Sequence, residues 1–323
     1  MLMRSPTSIG AILTLGAVAT LTSPAIAALR LQPDVPRHVY VASEPGYNKL
    51  RGHISVFPLS ARGDVAPEYA IGGATTQLES PLSEAFDGKG NLYVFNSGYP
   101  SFPCDSVVEF ARGARGDAHP LRVIQGPNTG FCQNIFDYGF AVTPGGDIYV
   151  PIDYPRTVAV FGAHQNGNVA PNKTLTYISS PTYLQFDAKG NLWNDNFEPS
   201  GQSLITGYSP SGTPLGQFLS PGYVYGFVIA RDLIYTPSMN PNVVVVTSRE
   251  SLKTRYSFQY PRNVYWNVTV DDAGNMYFLY FGPRRKNLPP AIEIYAPGGS
   301  SPMGEIDGRQ AALANAGWIQ VGP

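Results

Sequence analysis

Charge, cysteine and histidine are all scarce in this sequence, and each shortage narrows the range of functions. Charged residues make up 14% of the 323 residues, and the 22 basic side chains nearly balance the 23 acidic ones. There is no basic run or arginine-rich arm, so nucleic acid and anionic membranes are poor partners. No phosphate-binding loop, nucleophile elbow or Ser-His-Asp arrangement is visible, so the common nucleotide-binding and hydrolase motifs have no support.

Long apolar runs are also scarce. The run at residues 9–21 is too short to span a bilayer; it follows Arg4 and precedes the small-x-small sequence Ala25-Ile26-Ala27. These features predict that residues 1–27 are a secretory signal peptide, and the alternative is an uncleaved membrane anchor. We therefore expect a secreted or periplasmic protein with no membrane anchoring after cleavage before Ala28.

The abundant residues, 34 glycines, 30 prolines and 20 tyrosines, accompany a short recurring phrase. The phrase is an apolar strand, a polar turn with glycine, then Asn or Asp, an aliphatic residue and an aromatic residue. It occurs at residues 86–94, 142–150, 186–193 and 270–277. The glycine supplies the positive φ of a hairpin turn between a strand A and a strand B. With two weaker copies, the strand B aromatics are Tyr40, Tyr93, Tyr149, Trp193, Tyr235 and Tyr277.

A second pattern follows each copy: an alternating strand C, a turn rich in glycine and proline, and a short strand D. The strand B aromatics are 42 to 56 residues apart. Four short antiparallel strands in each of six units predict an all-β, six-bladed β-propeller. We expect residues 28–323 to form this single domain. Residues 318–321 are positioned to supply the missing strand A of the first blade and so to close the ring.

The phrase Gly90-Asn91-Leu92-Tyr93-Val94, together with Ile54-Ser55-Val56-Phe57 and Gly167-Asn168-Val169-Ala170-Pro171, resembles bacterial exported NHL-type propellers. The resemblance covers essentially the whole predicted mature chain. It implies the propeller fold, but this family holds lyases, lactonases and pure binding modules on one scaffold, so it leaves the activity open.

The two cysteines, Cys104 and Cys132, are 28 residues apart. The strand map places Cys104 between strands B and C of the second blade, and Cys132 between that blade and the next. Both segments lie on the same face of a propeller, so an oxidising compartment favours a disulfide between them. The alternative is two unpaired thiols.

The B–C and D–A loops form the face where propellers usually bind ligands, and here they are long and rich in aromatic and amide side chains. This composition suits a neutral polar ligand such as a sugar or a peptide. The alternative is that tyrosine and proline merely stiffen exposed loops. The candidate ligand-binding residues are Asn96, Tyr99, Asp153, Tyr154, Asp195, Asn196 and Tyr280.

Glu84 is the one residue that breaks the strand A pattern, because the equivalent positions hold Phe140, Leu184, Phe227 and Val268. A carboxylate in an apolar column needs a partner or a raised pKa, and such groups are enriched at functional sites. Glu84 is therefore the candidate catalytic residue. The alternative is a structural glutamate paired with the backbone or an arginine.

Metal chemistry would mark an enzyme. The strand map puts His38 and His53 at strand starts and His119 and His164 in turns of the opposite face, which argues against a zinc site. A calcium site would draw its oxygens from Glu84, Asp153, Asp195 and Asn196. The turn aspartates Asp87, Asp187 and Asp271 are expected to bond their own backbone instead.

The favoured hypothesis is an exported, monomeric binding or scaffold module that recognises a glycan, a peptide or another exported protein at the B–C/D–A face. The alternative is a metal-assisted lyase or lactonase of the gluconolactonase-like propeller type, with Glu84 as metal ligand or base. A third hypothesis is a purely structural repeat protein.

Overall fold

The computed structural model describes residues 37–45, 51–98, 104–132, 139–152, 155–178, 180–239, 241–260, 268–280 and 290–323. These residues form 24 β-strands, and their only helix is the 3-10 turn Pro127–Thr129. Within these ranges, therefore, no helix is long and apolar enough to cross a membrane. The predicted signal peptide, residues 1–27, lies outside the described residues.

The strands form six four-stranded antiparallel sheets, which we number as blades 1 to 6 in chain order. Blade 1 contains β1 (His38–Ser43), β2 (His53–Pro58), β3 (Tyr69–Ile71) and, from the other end of the chain, β24 (Ala316–Gly322). Blade 2 contains β4 (Ser80–Phe86), β5 (Leu92–Ser97), β6 (Ser106–Phe110) and β7 (Arg122–Gln125). Blade 3 contains β8 (Ala141–Val142), β9 (Ile148–Ile152), β10 (Thr157–Phe161) and β11 (Lys173–Leu175).

The second half of the ring repeats this order. Blade 4 contains β12 (Pro181–Phe186), β13 (Leu192–Phe197), β14 (Ser203–Tyr208) and β15 (Pro214–Leu219). Blade 5 contains β16 (Val228–Ala230), β17 (Leu233–Met239), β18 (Asn242–Ser248) and β19 (Thr254–Gln259). Blade 6 contains β20 (Val268–Val270), β21 (Met276–Tyr280), β22 (Ala291–Tyr295) and β23 (Pro302–Ile306). The predicted six-bladed β-propeller is confirmed.

Strand β24 closes the ring as predicted. It runs antiparallel to β1, with Val321 opposite Val39 and Ile319 opposite Val41. The backbone N–H of Val321 also donates to Thr269 Oγ1 of blade 6, at 2.9 Å. The last strand of the chain therefore completes blade 1 and contacts blade 6, so the sheet edge that an open ring would expose is removed.

The recurring turn explains why strands A and B form hairpins. Asp87 Oδ1 accepts the backbone N–H groups of Lys89 and Asn91, both at 2.9 Å, and Gly90 takes the left-handed conformation with φ 83°. The Asn91 side chain donates to Asp87 Oδ2 at 2.9 Å. The turns at Asp187 and Asp271 have equivalent bonds. These carboxylates fold their own turns, as predicted.

The strand B aromatics form the core between blades. Tyr93, Trp193 and Tyr277 are each 1% exposed. Their polar atoms point to the turn aspartates of the same hairpins: Trp193 Nε1 donates to Asp187 at 3.1 Å and the Tyr277 hydroxyl to Asp271 at 3.1 Å. An aromatic ring thus fills the space between blades while its donor is satisfied by the turn, which ties the hairpin to the packing.

Candidate functional site

The propeller has two ends, which different segments build. The A–B turns and the C–D segments lie at one end, which we call the turn end. The B–C and D–A segments lie at the other, which we call the loop end. The disulfide between Cys104 and Cys132 forms as predicted and joins the B–C segment of blade 2 to the D–A segment that leads into blade 3, at the loop end.

A central cavity of about 630 Å³ occupies the turn end of the channel. It runs from the middle of the A strands, at residues such as Glu84 and Leu184, to the A–B turns at residues such as Asp87 and Asp271. Its size lies within the range of small-molecule pockets, roughly 300 to 1,000 Å³.

An aromatic group blocks the channel next to the cavity; we call Tyr183, Phe227 and Trp318 the central aromatic cluster. Tyr183 lines the cavity and stacks on Trp318 of the opposite blade, with 5.7 Å between ring centroids. Its edge meets Phe227 at 5.0 Å. A Cβ on Gly139 would lie 2.1 Å from the Tyr183 ring, so glycine is required for this close approach. Blades 1, 3, 4 and 5 therefore meet at one tyrosine.

Glu84 lines the cavity on the inner strand of blade 2. The residue is 4% exposed, and within the described part of the chain neither carboxylate oxygen has a hydrogen-bond partner. Strand register places Glu84 opposite Val94, just as Leu184 lies opposite Asn194 and Val268 opposite Phe278, which confirms the column alignment. Burial raises the pKa of Glu84 well above its usual range. Among the described residues, neither a backbone group nor an arginine pairs with Glu84, as a purely structural glutamate would require.

Several charged side chains surround the mouth of the cavity. Arg37 forms an ion pair with Asp272, and Arg231 donates to the backbone carbonyl of Asp272. Asp187 forms a buried ion pair with Arg249, with 2.8 Å between Oδ2 and Nη1. Burial alone would raise the pKa of Asp187, but hydrogen bonds from Asn191 and the nearby Arg249 outweigh it and lower the pKa.

The fold also resembles a solved propeller. A structure described as a nidogen/laminin complex aligns with a TM-score of 0.62 and 13% sequence identity, covering 89% of this chain and 98% of that one. At this identity the likeness shows the fold alone. No protein-family model matches the sequence, and no curated protein matches it. The NHL-type assignment therefore stays a prediction.

Four of the seven predicted ligand residues lie in strands and not in loops. The sequence pattern ends strand B too early, because the polar residues after the aromatic are typical of a loop. Asn96 instead lies in β5, Asp195 and Asn196 lie in β13, and Tyr280 ends β21. Of the other candidates, Tyr99, Asp153 and Tyr154 lie outside the described residues.

Asn96 holds the start of blade 2 together. Its Oδ1 accepts the backbone N–H groups of Glu79 and Ser80 at 2.8 and 3.0 Å. Its Nδ2 donates to the Gln77 carbonyl and the Ser106 hydroxyl, both at 3.2 Å. Because the amide is 1% exposed and bonded on both sides, its position is fixed by the blade.

Asp195 is a second buried carboxyl, which comparison of the A strands missed. It is 0% exposed and accepts a hydrogen bond from the Thr182 hydroxyl, while its Oδ2 has no partner among the described residues. Burial raises the pKa of Asp195 to about 7, and the Thr182 bond opposes this shift. The signal was available in strand B, where equivalent positions hold Ala42, Phe95, Pro151, Pro237 and Leu279.

An aromatic group lies at the loop end beside Asn196. Phe197 is 50% exposed and meets Tyr223 edge to face, with 4.9 Å between ring centroids, and Tyr223 meets Tyr225 at 4.4 Å. Asn196 Nδ2 donates to Glu198 Oε1 at 3.3 Å. Partly exposed rings next to an amide and a carboxylate form a surface that combines apolar area with hydrogen-bonding groups.

The described residues offer little support for a metal site. Within those ranges, no three His, Cys, Asp or Glu side chains lie close enough together to hold a metal ion. The described residues of the cavity therefore do not fit a metal site built from three or more carboxylates. The calcium site expected from Glu84, Asp153, Asp195 and Asn196 stays a prediction, since Asp153 lies outside the described ranges.

Proposed function

We propose that the protein is an exported, non-catalytic binding module that recognises a glycan, a peptide or another exported protein at the loop end of the propeller. The aromatic surface of Phe197, Tyr223 and Tyr225 carries this proposal. Phe197 is 50% exposed and contacts a second partly exposed ring, so the apolar surface is continuous, and the neighbouring Asn196 and Glu198 supply hydrogen-bonding groups.

Two further observations support the proposal. The disulfide at the loop end suits an oxidising compartment, as expected for an exported protein. The structurally similar propeller comes from a complex of nidogen with laminin, so a protein partner belongs among the candidates.

The test is binding of the mature chain, residues 28–323, to glycan and peptide arrays, with Phe197→Ser and Tyr223→Ser as the variants. Each variant is expected to weaken a recognised ligand about tenfold, because loss of an aromatic contact costs about 1.4 kcal/mol. Leu121→Ser is the matched control, since Leu121 is equally exposed, at 56%, but lies beside β7 on blade 2. Blank arrays, or equal losses in all three variants, would contradict the proposal.

The second candidate function is a lyase or lactonase, which the buried and unpartnered Glu84 alone favours. A lactonase assay in calcium and in chelator separates the two candidates: activity lost in chelator and in Glu84→Gln favours the enzyme, and a flat response favours the binding module.

A further inference from the structure

The central cavity at the turn end has no part in the loop-end function, and its construction indicates a second ligand. Its walls combine polar and charged side chains with aromatic ones, among them Phe140, Tyr149, Tyr183 and Phe186. Its volume of about 630 Å³ is sufficient for a small organic molecule. The fold therefore holds a container of ligand size at the end opposite the Phe197 surface.

Glu84 is the feature of this cavity that the fold itself does not require. The equivalent residues of blades 4 and 6, Leu184 and Val268, fill the same position with apolar side chains that are at most 1% exposed. Leaving a buried carboxyl without a partner destabilises the folded state. A carboxyl retained under that penalty, on a cavity wall, is explained if a ligand supplies the missing partner.

The charge of the lining indicates the sign of that ligand. The acidic lining residues are Glu84, Asp87, Asp147, Asp187, Asp271 and Asp272, and the basic ones are Arg37, Lys173 and Arg231. Six acids against three bases, with Arg249 paired to Asp187, leave a net charge of −2 when all are ionised. Arg37 and Arg231 are both engaged with Asp272 at the mouth. The cavity therefore favours a cation.

We propose that the central cavity binds an organic cation, with the charged nitrogen against the Glu84 carboxylate and the apolar body against the aromatic walls. The negative lining draws the cation to the mouth, and Glu84 provides the buried anion that an ammonium group needs after losing its water. Tyr183 and Phe140 are among the aromatic residues that line the cavity and contribute apolar surface.

Four small aromatic probes of different charge test the proposal on the mature chain. The cations are 2-phenylethylamine and benzyltrimethylammonium; 2-phenylethanol is the neutral match and phenylacetate the anionic one. By isothermal titration calorimetry, at least one cation is expected to bind about tenfold or more tightly than 2-phenylethanol, a difference of about 1.4 kcal/mol. Phenylacetate is expected not to bind. Equal affinity for the amine and the alcohol would mean a neutral ligand, and no binding of either cation would overturn the proposal.

Variants locate the cation. Glu84→Leu places in blade 2 the residue that blade 4 has at the equivalent position, so the fold is expected to persist, and Glu84→Gln retains the shape. Both should weaken cation binding at least about tenfold and leave 2-phenylethanol unchanged. Asp272→Asn, at a mouth side chain that is 78% exposed, should change affinity less than about twofold.

The other results are equally decisive. If Asp272→Asn loses as much affinity as Glu84→Leu, the cation binds at the mouth and the assignment to Glu84 is wrong. Phe197→Ser should leave cation binding unchanged, so failure of the loop-end function and failure of this proposal are observed separately.

Discussion

Blades 1–3 and blades 4–6 have the same four strands but build the outer side of the ring differently. In blades 1–3 the C–D segments are residues 59–68, 111–121 and 162–172, and the D strands that follow have 3, 4 and 3 residues. In blades 4–6 the C–D segments are residues 209–213, 249–253 and 296–301, and the D strands have 6, 6 and 5 residues. Blades 1–3 thus have long C–D segments and short D strands, whereas blades 4–6 have short C–D segments and long D strands.

The longer connections join neighbouring blades through the backbone. Gly63, Gly116 and Gly167 each form a parallel bridge with the D strand of the preceding blade, at Ile306, Ile71 and Ile124. We call these three contacts the rim bridges. They cover the outer edges of β23, β3 and β7, which would otherwise present unpaired backbone groups.

Side-chain contacts join the blades of the second half. Gln185 Oε1 accepts the backbone N–H of Ile229 at 2.9 Å between blades 4 and 5, and Arg249 pairs with Asp187 across the same interface. Arg231 links blade 5 to the Asp272 carbonyl of blade 6. Side chains also join blades 2 and 3, where the buried Arg122 donates to the carbonyls of Gly146 and Gly162. Among the described residues, both halves of the ring therefore use side-chain contacts between blades, and the rim bridges are an addition in blades 1–3.

The largest effect is expected from removing the strand that joins the two halves. Deletion of residues 316–323 removes β24, including the buried Trp318, Ile319 and Val321. Burial of three such side chains contributes about 5 kcal/mol or more to the free energy of unfolding. We expect a ring that is open between blades 6 and 1, measured as a large fall in thermal unfolding temperature. The Gly63 rim bridge still spans that interface, so unchanged stability would mean that the bridge alone closes the ring.

That strand was predictable from the sequence, and so was the architecture. The turn phrase has a local cause, the Asp and Gly of each hairpin, so its period counts the blades and identifies the missing strand A. The disulfide followed from the same count. The central cavity did not, because its place depends on how rings from four blades meet at Tyr183, and no single segment encodes that meeting.

The burial of Asp195 was not predicted from the sequence. Its neighbours Asn194 and Asn196 make the stretch look like a loop, since asparagine and aspartate are typical of turns. In the structure the strand continues through all three, because β13 is paired on both sides, with β12 and β14. The repeat comparison was sufficient to find Glu84, and extending it to strand B would have found Asp195.

The second largest effect concerns Asp195, the buried carboxyl of blade 4. Burial raises the pKa of Asp195 from 3.8 to about 7. The folded state therefore holds the Asp195 proton more tightly than the unfolded state does. The free energy of unfolding is highest below pH 3.8, where Asp195 is protonated in both states, and it falls as the pH rises toward 7. Three pKa units correspond to a loss on the order of 4 kcal/mol.

Asp195→Asn should remove this loss. Urea unfolding from pH 4 to pH 8 is expected to show the variant gaining stability relative to the wild type as the pH rises. Glu84 acts in the same direction, because burial also raises its pKa, so the double variant with Glu84→Leu should have the flatter profile. If the difference between Asp195→Asn and the wild type does not change with pH, Asp195 is not buried as described.

The third effect concerns the disulfide of blades 1–3, the half that has the rim bridges. The Cys104–Cys132 bond closes a span of 28 residues between blades 2 and 3, and replacing both cysteines with serine is expected to cost about 3 kcal/mol by loop entropy. Chemical denaturation with and without reductant measures it. Reductant should destabilise the wild type and leave the double serine variant unchanged. Equal stability of wild type and variant would mean that the disulfide does not stabilise this interface and that the rim bridge is sufficient.

The smallest effect concerns a hydrogen bond beside a rim bridge. Beside the bridging Gly167, Asn168 Oδ1 accepts the backbone N–H of Asn128 in the segment after β7, at 2.8 Å. Asp117 and Asp64 make the equivalent bonds to Thr75 and Gln310, both at 2.7 Å. Asn168→Ala should cost about 1 kcal/mol, as loss of one such cap does at a helix start or a turn.

The matched control is Ser211→Ala in the short C–D turn of blade 4. Ser211 bonds only within its own turn among the described contacts, to Ser209 and Thr213, so its loss should change the free energy of unfolding by less than about 0.5 kcal/mol. Hydrogen exchange sharpens the measurement, because the Asn128 amide should lose protection in Asn168→Ala and keep it in Ser211→Ala. Equal effects of the two substitutions would show that the C–D segments of blades 1–3 are merely longer, and that their contacts with the preceding blade do not stabilise the ring.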